Sequence, residues 1–224
     1  MAHYILLNCI FDRIKTKEII MFKYFAILLI AIILVISFTK ERSSVSKLEK
    51  SNTILAFGDS ITYGFGADSH ESYPYLLSQL TGYKVINAGI NGDTSQDGLE
   101  RLPALLEDDS IKLILLCFGG NDILQKQPLS ELKANLKKII QIAKAKNINV
   151  ILISVPNVSL FGLDPLDLYD EIADEEDIEL IEGLLSHVLS RSSLKSDYIH
   201  PNEKGYKYIA DEVYAHLKSE NWVQ

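Results

Sequence analysis

Apolar runs alternate with amphipathic stretches along residues 53–218 of the chain. Runs with the pattern of buried strands lie at 53–57, 84–87, 111–118, 149–155 and 179–182. Helical spacing of apolar residues occurs between and after them, at 73–80, 95–107, 129–146, 167–176 and 203–218. This alternation predicts one α/β domain, in which about five parallel strands are covered by helices and joined by right-handed crossovers.

An uncharged apolar run, residues 24–38, precedes this domain and has basic residues on both sides. Its length fits the apolar region of a signal peptide, with translation starting at Met1 or at Met21, and it fits an uncleaved membrane anchor as well. Either form predicts export, with the domain on the periplasmic or extracellular side. The predicted organisation is a signal peptide or anchor at 1–39, a polar linker at 40–52 and a folded domain at 53–220.

Charge is unevenly distributed along the chain. Of 22 Lys and Arg and 30 Asp and Glu residues, 14 and 26 lie in residues 51–224, which gives this part a formal charge of −12. Such a body repels phosphate backbones, so we expect no nucleic-acid partner. Carboxylates are densest at 164–182, where the spacing differs from that of a calcium loop, and we interpret them as a helix face turned to water.

The two cysteines, Cys9 and Cys117, lie in very different surroundings. The first precedes the apolar run at 24–38, and the second lies inside a strand pattern. We therefore expect no disulfide between them, and Cys117 to be a small core residue. Spacings typical of zinc sites do not occur in the sequence.

Polar and glycine-rich loops follow the predicted strands. They are Gly58-Asp59-Ser60, residues 87–94, residues 119–122 and, near the C-terminus, residues 197–202. Each alone is compatible with ordinary turn and capping chemistry, including Gly58-Asp59-Ser60. Because the carboxyl ends of parallel strands share one edge of the sheet, we expect the loops to meet there. Together they bring a serine, a histidine, an aspartate and several hydrogen-bond donors to that edge.

These residue types are the ones that acyl transfer requires. The Ser60 hydroxyl is a weak nucleophile until a neighbouring base takes its proton, and His200 is the predicted base. Asp197, three residues earlier, is predicted to orient the imidazole and to stabilise its charged form. The backbone N–H groups of Ser60 and Gly89 and the side-chain amide of Asn121 are predicted to bind the developing oxyanion.

Residues in the same loops are candidates for contact with the substrate. An acyl group needs an apolar wall beside the nucleophile, and we expect activity on short-to-medium acyl chains. The candidates are Asp59, Thr94, Ile123, Leu124, Phe161 and Leu163.

The four blocks together resemble those of the SGNH hydrolases, also called GDSL-type esterases or lipases. The blocks are Gly58-Asp59-Ser60-Ile61-Thr62, Asn87-Ala88-Gly89-Ile90, Gly119-Gly120-Asn121-Asp122 and Asp197-Tyr198-Ile199-His200-Pro201-Asn202. Within that family the chain is similar to the branch of thioesterase I, lysophospholipase L1 and arylesterase-like enzymes. One departure is Ile61, where the family usually has Leu.

The resemblance implies a three-layer, flavodoxin-like α/β/α fold and hydrolysis through an acyl-enzyme. It implies Ser60, His200 and Asp197 as the triad, and Ser60, Gly89 and Asn121 as the oxyanion hole. It also implies no metal and no organic cofactor. The expected partner is a small acyl ester or thioester, with lysophospholipid among the candidates, and contact with a membrane only through the N-terminal segment.

Three hypotheses for function stay open at this point. The first is a serine esterase that acts on acyl esters or thioesters. The second is a carbohydrate O-deacetylase that acts on envelope or environmental polysaccharide. The third is a catalytically silent, membrane-tethered binding domain.

Overall fold

A computed structural model of the chain describes residues 48–159, 162–164 and 166–224. The apolar run at 24–38 and most of the predicted linker lie outside these residues. Within the described part, no helix is long and apolar enough to cross a membrane.

A five-stranded parallel sheet forms the centre of the domain, as the alternating pattern predicts. The five strands are β1 Thr53–Gly58, β2 Lys84–Gly89, β3 Ile111–Cys117, β4 Asn149–Ile153 and β7 Glu179–Ile181. Their spatial order is β2-β1-β3-β4-β7, and every neighbouring pair is parallel. A separate antiparallel hairpin joins β5 Asn157–Ser159 to β6 Gly162–Asp164.

Eight α-helices are present in the described residues. They are α1 Ser60–Tyr63, α2 Tyr73–Thr81, α3 Ser95–Leu105, α4 Gly120–Leu124, α5 Leu129–Ala145, α6 Leu168–Glu176, α7 Leu184–Leu189 and α8 Glu203–Ser219. The five predicted helices correspond to α2, α3, α5, α6 and α8. The sequence pattern did not predict α4, α7 or the hairpin; helices of five or six residues span less than two turns and show no clear period.

The central strands are buried on both faces, which explains their uninterrupted apolar runs. Ile54, Leu55, Ala56 and Phe57 of β1 have no exposed surface, and β3 is almost equally buried. The β2 strand lies at one edge and is partly exposed. Residues that follow β1 and β3 are therefore attached to the most buried strands of the domain.

The acidic stretch at 164–182 does more than face water. On α6, Glu171 lies 2.7 Å from the Nζ of Lys133 on α5, and Glu175 lies 2.8 Å from Lys133 and 2.7 Å from Lys137. Hydrogen bonds from Lys133 and then Lys137 lower the pKa of Glu175 to about 2. Glu171 and Glu175 are still 57% and 45% exposed, in agreement with a helix face turned to water, and they also form ion pairs between α6 and α5.

The folded body includes residues that precede β1. Leu48 is buried, its N–H donates to the carbonyl of Trp222 at 3.2 Å, and its carbonyl accepts from the Tyr83 hydroxyl at 2.8 Å. The last part of the predicted linker at 40–52 therefore packs against the domain.

Candidate active site

Ser60 lies at the point where β1 ends and α1 begins. Asp59 caps this short helix, because its Oδ1 accepts from the N–H of Ile61 at 3.0 Å. Gly64 ends the helix with a φ of 99°, a conformation that favours glycine. The turn can therefore serve both as a helix cap and as the site of a nucleophile. Asp59 supplies the cap, and the Ser60 hydroxyl is left at the carboxyl edge of the sheet.

A chain of two hydrogen bonds joins the three predicted triad residues. The Oγ of Ser60 lies 2.9 Å from Nε2 of His200, although the residues are 140 positions apart in the sequence. On the other side of the ring, Nδ1 of His200 lies 2.7 Å from Oδ2 of Asp197. A carboxylate only accepts, so Nδ1 carries the proton and Nε2 is left to accept from the serine hydroxyl.

Asp197 is itself fixed by the backbone of its loop. Its Oδ1 accepts from the N–H groups of Ile199 and His200, each at 2.8 Å. Partial burial alone would raise the pKa of Asp197. The hydrogen bonds from the His200 ring and from these two N–H groups outweigh it, and the pKa lies below its ordinary value. The carboxylate is therefore ionised at neutral pH.

Phe65 contacts His200 and was not predicted to belong to the site. Its ring centroid lies 4.4 Å from that of the imidazole, at an interplanar angle of 43°. The carbonyl of Phe65 accepts from the buried hydroxyl of Tyr206 at 2.7 Å, which anchors this segment to α8. Because Phe65 lies in a turn, no sequence period indicates its contact with residue 200.

Two of the three predicted oxyanion donors, the N–H of Ser60 and the amide of Asn121, belong to residues that line one cavity. The N–H of Ser60 is at the start of α1 and has no acceptor among the described residues. Asn121 lies in the first turn of α4, and its Nδ2 donates to the carbonyl of Asp93 at 2.9 Å. An amide nitrogen has two hydrogens, so one remains for a ligand. Ser60 and Asn121 both line the same cavity.

The structure does not bring Gly89 into this group. Its N–H donates to Oδ1 of Asn87 at 3.0 Å and is therefore already used. A side chain at position 89 would collide with the backbone of Tyr63, so the glycine is needed for close packing of β2 against α1. The prediction that Gly89 is an oxyanion donor is corrected accordingly.

Gly92 lies in the loop that follows β2. It is next to Asp93, whose carbonyl accepts from the amide of Asn121. Its φ is 87°, and its N–H has no acceptor in the described part of the chain. Sequence alone offers two glycines in one loop and does not show which N–H is already used. In the structure, the side chain of Asn87 accepts from the N–H of Gly89 and leaves that of Gly92 without an acceptor among the described residues.

A narrow cavity of about 40 Å³ opens beside Ser60 and His200. Three of the predicted substrate contacts, Asp59, Ile123 and Leu124, line it. The rest of its wall is mainly apolar and was not predicted. These wall residues are Ile61, Gly120, Val155, Pro156, Leu189 and Ile199.

The other predicted substrate contacts lie elsewhere. Thr94 is buried and caps α3, where its Oγ1 donates to Oδ2 of Asp97 at 2.6 Å, so its prediction as a substrate contact is wrong. Leu163 packs against the hydrophobic core. Phe161 lies outside the described residues.

The model of the GDSL-like lipase/acylhydrolase family matches residues 56–208, a span that contains every loop of the site. The chain belongs to this family. It is 31% identical over 175 residues to an arylesterase of Vibrio mimicus, an alignment that covers 74% of this chain and 88% of the relative. It is 33% identical over 168 residues to the thioesterase 1/protease 1/lysophospholipase L1 of Escherichia coli K12, covering 72% and 81%.

Solved structures agree with the sequence relatives. The crystal structure of TesA superposes with a TM-score of 0.70 at 31% identity, covering 75% of this chain and 99% of that one. The predicted family, fold and enzyme class are thereby confirmed, and the chain is an esterase of the GDSL family. A catalytically silent binding domain is no longer supported.

Asp59 of this GDSL esterase is a buried carboxyl group. Burial raises its pKa from 3.8 to about 7, and the nearby carboxylates of Asp122 and Asp93 add to the shift, while the hydrogen bond from the Ile61 N–H opposes it. At pH values between 3.8 and about 7, Asp59 keeps its proton in the folded state and has lost it in the unfolded chain. The free energy of unfolding therefore falls as pH rises through this window.

Asp59→Asn should remove this pH dependence, because the amide keeps the cap acceptor and does not ionise. From pH 5 to pH 8 we expect wild-type protein to lose about 2–3 kcal/mol of stability relative to the variant. Urea unfolding at the two pH values measures the difference. Asp109→Asn, at an exposed position, is the control and should follow wild type. Equal pH slopes for wild type and Asp59→Asn would contradict the assignment.

Proposed function

We propose that this GDSL esterase hydrolyses short-chain acyl esters or thioesters through a covalent intermediate on Ser60. The observation that carries the proposal is the continuous hydrogen-bonded chain from Asp197 through His200 to Ser60, with Ser60 and His200 facing the cavity. This arrangement pairs a nucleophile with a base, and the base with a group that orients it.

In the acylation step, the Oγ of Ser60 attacks the acyl carbon while Nε2 of His200 takes the hydroxyl proton. The imidazolium that forms is stabilised by Asp197, whose carboxylate lies 2.7 Å from Nδ1. The imidazolium then gives its proton to the departing alkoxide or thiolate, and the bond from acyl carbon to leaving group breaks. Water completes the cycle by the same route, with His200 as base.

The oxyanion of the tetrahedral intermediate is bound by donors that are in place before the reaction. Two hydrogen bonds come from the N–H of Ser60, which has no acceptor in the described part of the chain, and from the second amide hydrogen of Asn121. We assign the third to the N–H of Gly92, which takes the role first predicted for Gly89. Preorganised donors of this kind typically contribute about 10²–10³ each in turnover.

The cavity supports a short acyl group. The accessible space beside Ser60 is small, about 40 Å³, and its wall is mostly apolar. We expect chains from acetyl to butyryl to fit this space and an octanoyl chain to press against the side chains of the wall. Forcing extra methylenes into a packed wall costs about 1–3 kcal/mol.

A series of p-nitrophenyl esters tests this proposal. We expect kcat/KM to be highest between acetate and butyrate and at least ~10-fold lower for octanoate, as overpacking costs about 1–3 kcal/mol. Leu124→Ala removes an exposed part of the wall and should raise the ratio of kcat/KM on octanoate to kcat/KM on butyrate. Leu129→Ala, also exposed but outside the wall, is the matched control and should leave the ratio unchanged. A preference for palmitate would contradict the proposal.

Carbohydrate O-deacetylation is the second candidate, because an acetyl group also fits the small cavity. Acetylated polysaccharide, lysophospholipid and an acyl thioester assayed at equal concentration separate the candidates. The first proposal requires acyl ester or thioester to have the highest kcat/KM. A higher value on acetylated polysaccharide would favour the second.

A further inference from the structure

Arg101 projects from α3 to the ends of two neighbouring strands. Its Nη2 donates to the carbonyl of Gly58, the last residue of β1, at 3.0 Å, and to the carbonyl of Ala88 on β2 at 2.8 Å. Its Nε donates to Oδ2 of Asp93 at 2.7 Å. One guanidinium thus joins two strand ends and the loop that follows β2.

The guanidinium is held in one plane by its surroundings. It lies 4.5 Å from the ring centroid of Phe57 and 5.8 Å from that of Phe118. The side chains of Arg101 and Asp93 are only 21% and 14% exposed. Stacking and partial burial restrict the side chain to the orientation that makes all three hydrogen bonds. A lysine ammonium has no planar fork and cannot reproduce this set.

Two of the three hydrogen bonds of Arg101 lead to groups of the proposed site. Gly58 precedes Asp59 and Ser60 in the turn that carries the nucleophile. Asp93 accepts from Arg101 through its carboxylate and from the Asn121 amide through its carbonyl at 2.9 Å. The side chain therefore ties the loop of the nucleophile to the loop that holds an oxyanion donor.

We propose that Arg101 is a positioning residue that fixes the spacing between Ser60 and the oxyanion donors. Its hydrogen bonds end on Gly58, two residues before Ser60, and on Asp93, which in turn accepts from Asn121, and it contacts none of the reacting atoms. The inference rests on the proposed function. Because the donors bind charge that develops only in the transition state, loss of their alignment lowers kcat and leaves KM nearly unchanged. A displacement of about 1 Å at such a site can cost about 10²-fold.

Arg101→Met and Arg101→Lys test the proposal on p-nitrophenyl acetate. Met keeps the apolar stem over Phe57 and removes every donor, and we expect kcat to fall about 10²-fold with KM within about 3-fold. Lys keeps the charge without the fork, and we expect at least a ~10-fold fall in kcat, because bidentate geometry is lost. Arg191→Met is the matched control, since Arg191 is the other arginine of residues 51–224 and contacts His187 and Ser190 at the surface.

Coupling to Asn121 separates positioning from a general loss of structure. Asn121→Ala alone should lower kcat about 10²–10³-fold. If Arg101 acts through the alignment of this donor, the double variant Arg101→Met/Asn121→Ala should be at least 10-fold more active than the product of the two single effects predicts. Effects that multiply fully would overturn the proposal, as would a wild-type kcat in Arg101→Met.

Two further variants keep the test independent of folding and of the proposed function. If Arg101→Met does not fold, Asp93→Asn removes the charged partner and keeps the backbone carbonyl for Asn121, and it should lower kcat in the same direction. An unchanged kcat in Asp93→Asn and Arg101→Lys would then overturn the proposal. Failure of the proposed function would be recognised by a different result, namely full turnover in Ser60→Ala.

Discussion

Ser60→Ala should lower kcat on p-nitrophenyl acetate by on the order of 10⁶-fold, the size of effect seen when a triad nucleophile is removed. The substitution deletes one oxygen atom, which otherwise lies 2.9 Å from Nε2 of His200. It leaves the backbone N–H at position 60 and the Asp59 cap in place. Folding and the oxyanion site should therefore survive, and only the covalent step should be lost.

Stopped-flow or long-time absorbance assays of wild type and variant measure this loss, with thermal unfolding as the check on the fold. Ser69→Ala is a suitable control, because Ser69 is exposed and lies in the turn before α2. Its activity should equal that of wild type. Turnover in Ser60→Ala within 10-fold of wild type would refute an acyl-enzyme at this residue.

Asp197→Asn should lower kcat about 10⁴-fold, as expected when the base of a triad is held in the wrong tautomer. Oδ1 of Asp197 accepts from two backbone N–H groups at 2.8 Å, so the oxygen of an asparagine must stay there. The amide nitrogen then faces Nδ1 of His200 and donates to it. The ring proton moves to Nε2, which can no longer accept from Ser60.

The control for this variant is Asp211→Asn, which removes a carboxylate from an exposed ion pair with Lys207. Surface pairs of this kind contribute little, and its kcat should match that of wild type. Measurements at several pH values check that the kcat of Asp197→Asn stays low wherever the protein is folded. A fall of less than 10-fold in Asp197→Asn would show that another group orients His200.

The strands and the long helices could be predicted from the sequence because burial on both faces imposes a pattern that is visible locally. Phe57 and its neighbours in β1 form an apolar run because layers of helix cover both faces of the strand. That Ser60, His200 and Asp197 lie together could be predicted, because their residue types suit acyl transfer and their loops were expected at one edge of the sheet. The short α4 and α7 helices contribute to the cavity wall through Leu124 and Leu189, and no period indicates them.

The errors arise where a residue's role depends on a contact made by another residue. Gly89 and Gly92 are alike in sequence, and the side chain of Asn87 decides which N–H is occupied. Thr94 carried a signal that would have corrected its prediction, since a threonine three residues before Asp97 forms a capping box. The ion pairs of Glu175 with Lys133 and Lys137 could not be predicted, because the sequence does not show that α6 packs on α5.

Labelling with a fluorophosphonate tests the central claim most directly. The reagent phosphonylates an activated serine, forming an Oγ–P bond as fluoride leaves, and mass spectrometry of the intact protein and of its peptides locates the adduct. The proposed mechanism predicts one adduct per chain, on Ser60, and no adduct in Ser60→Ala. An unlabelled wild-type protein, or an adduct on a different residue, would contradict it.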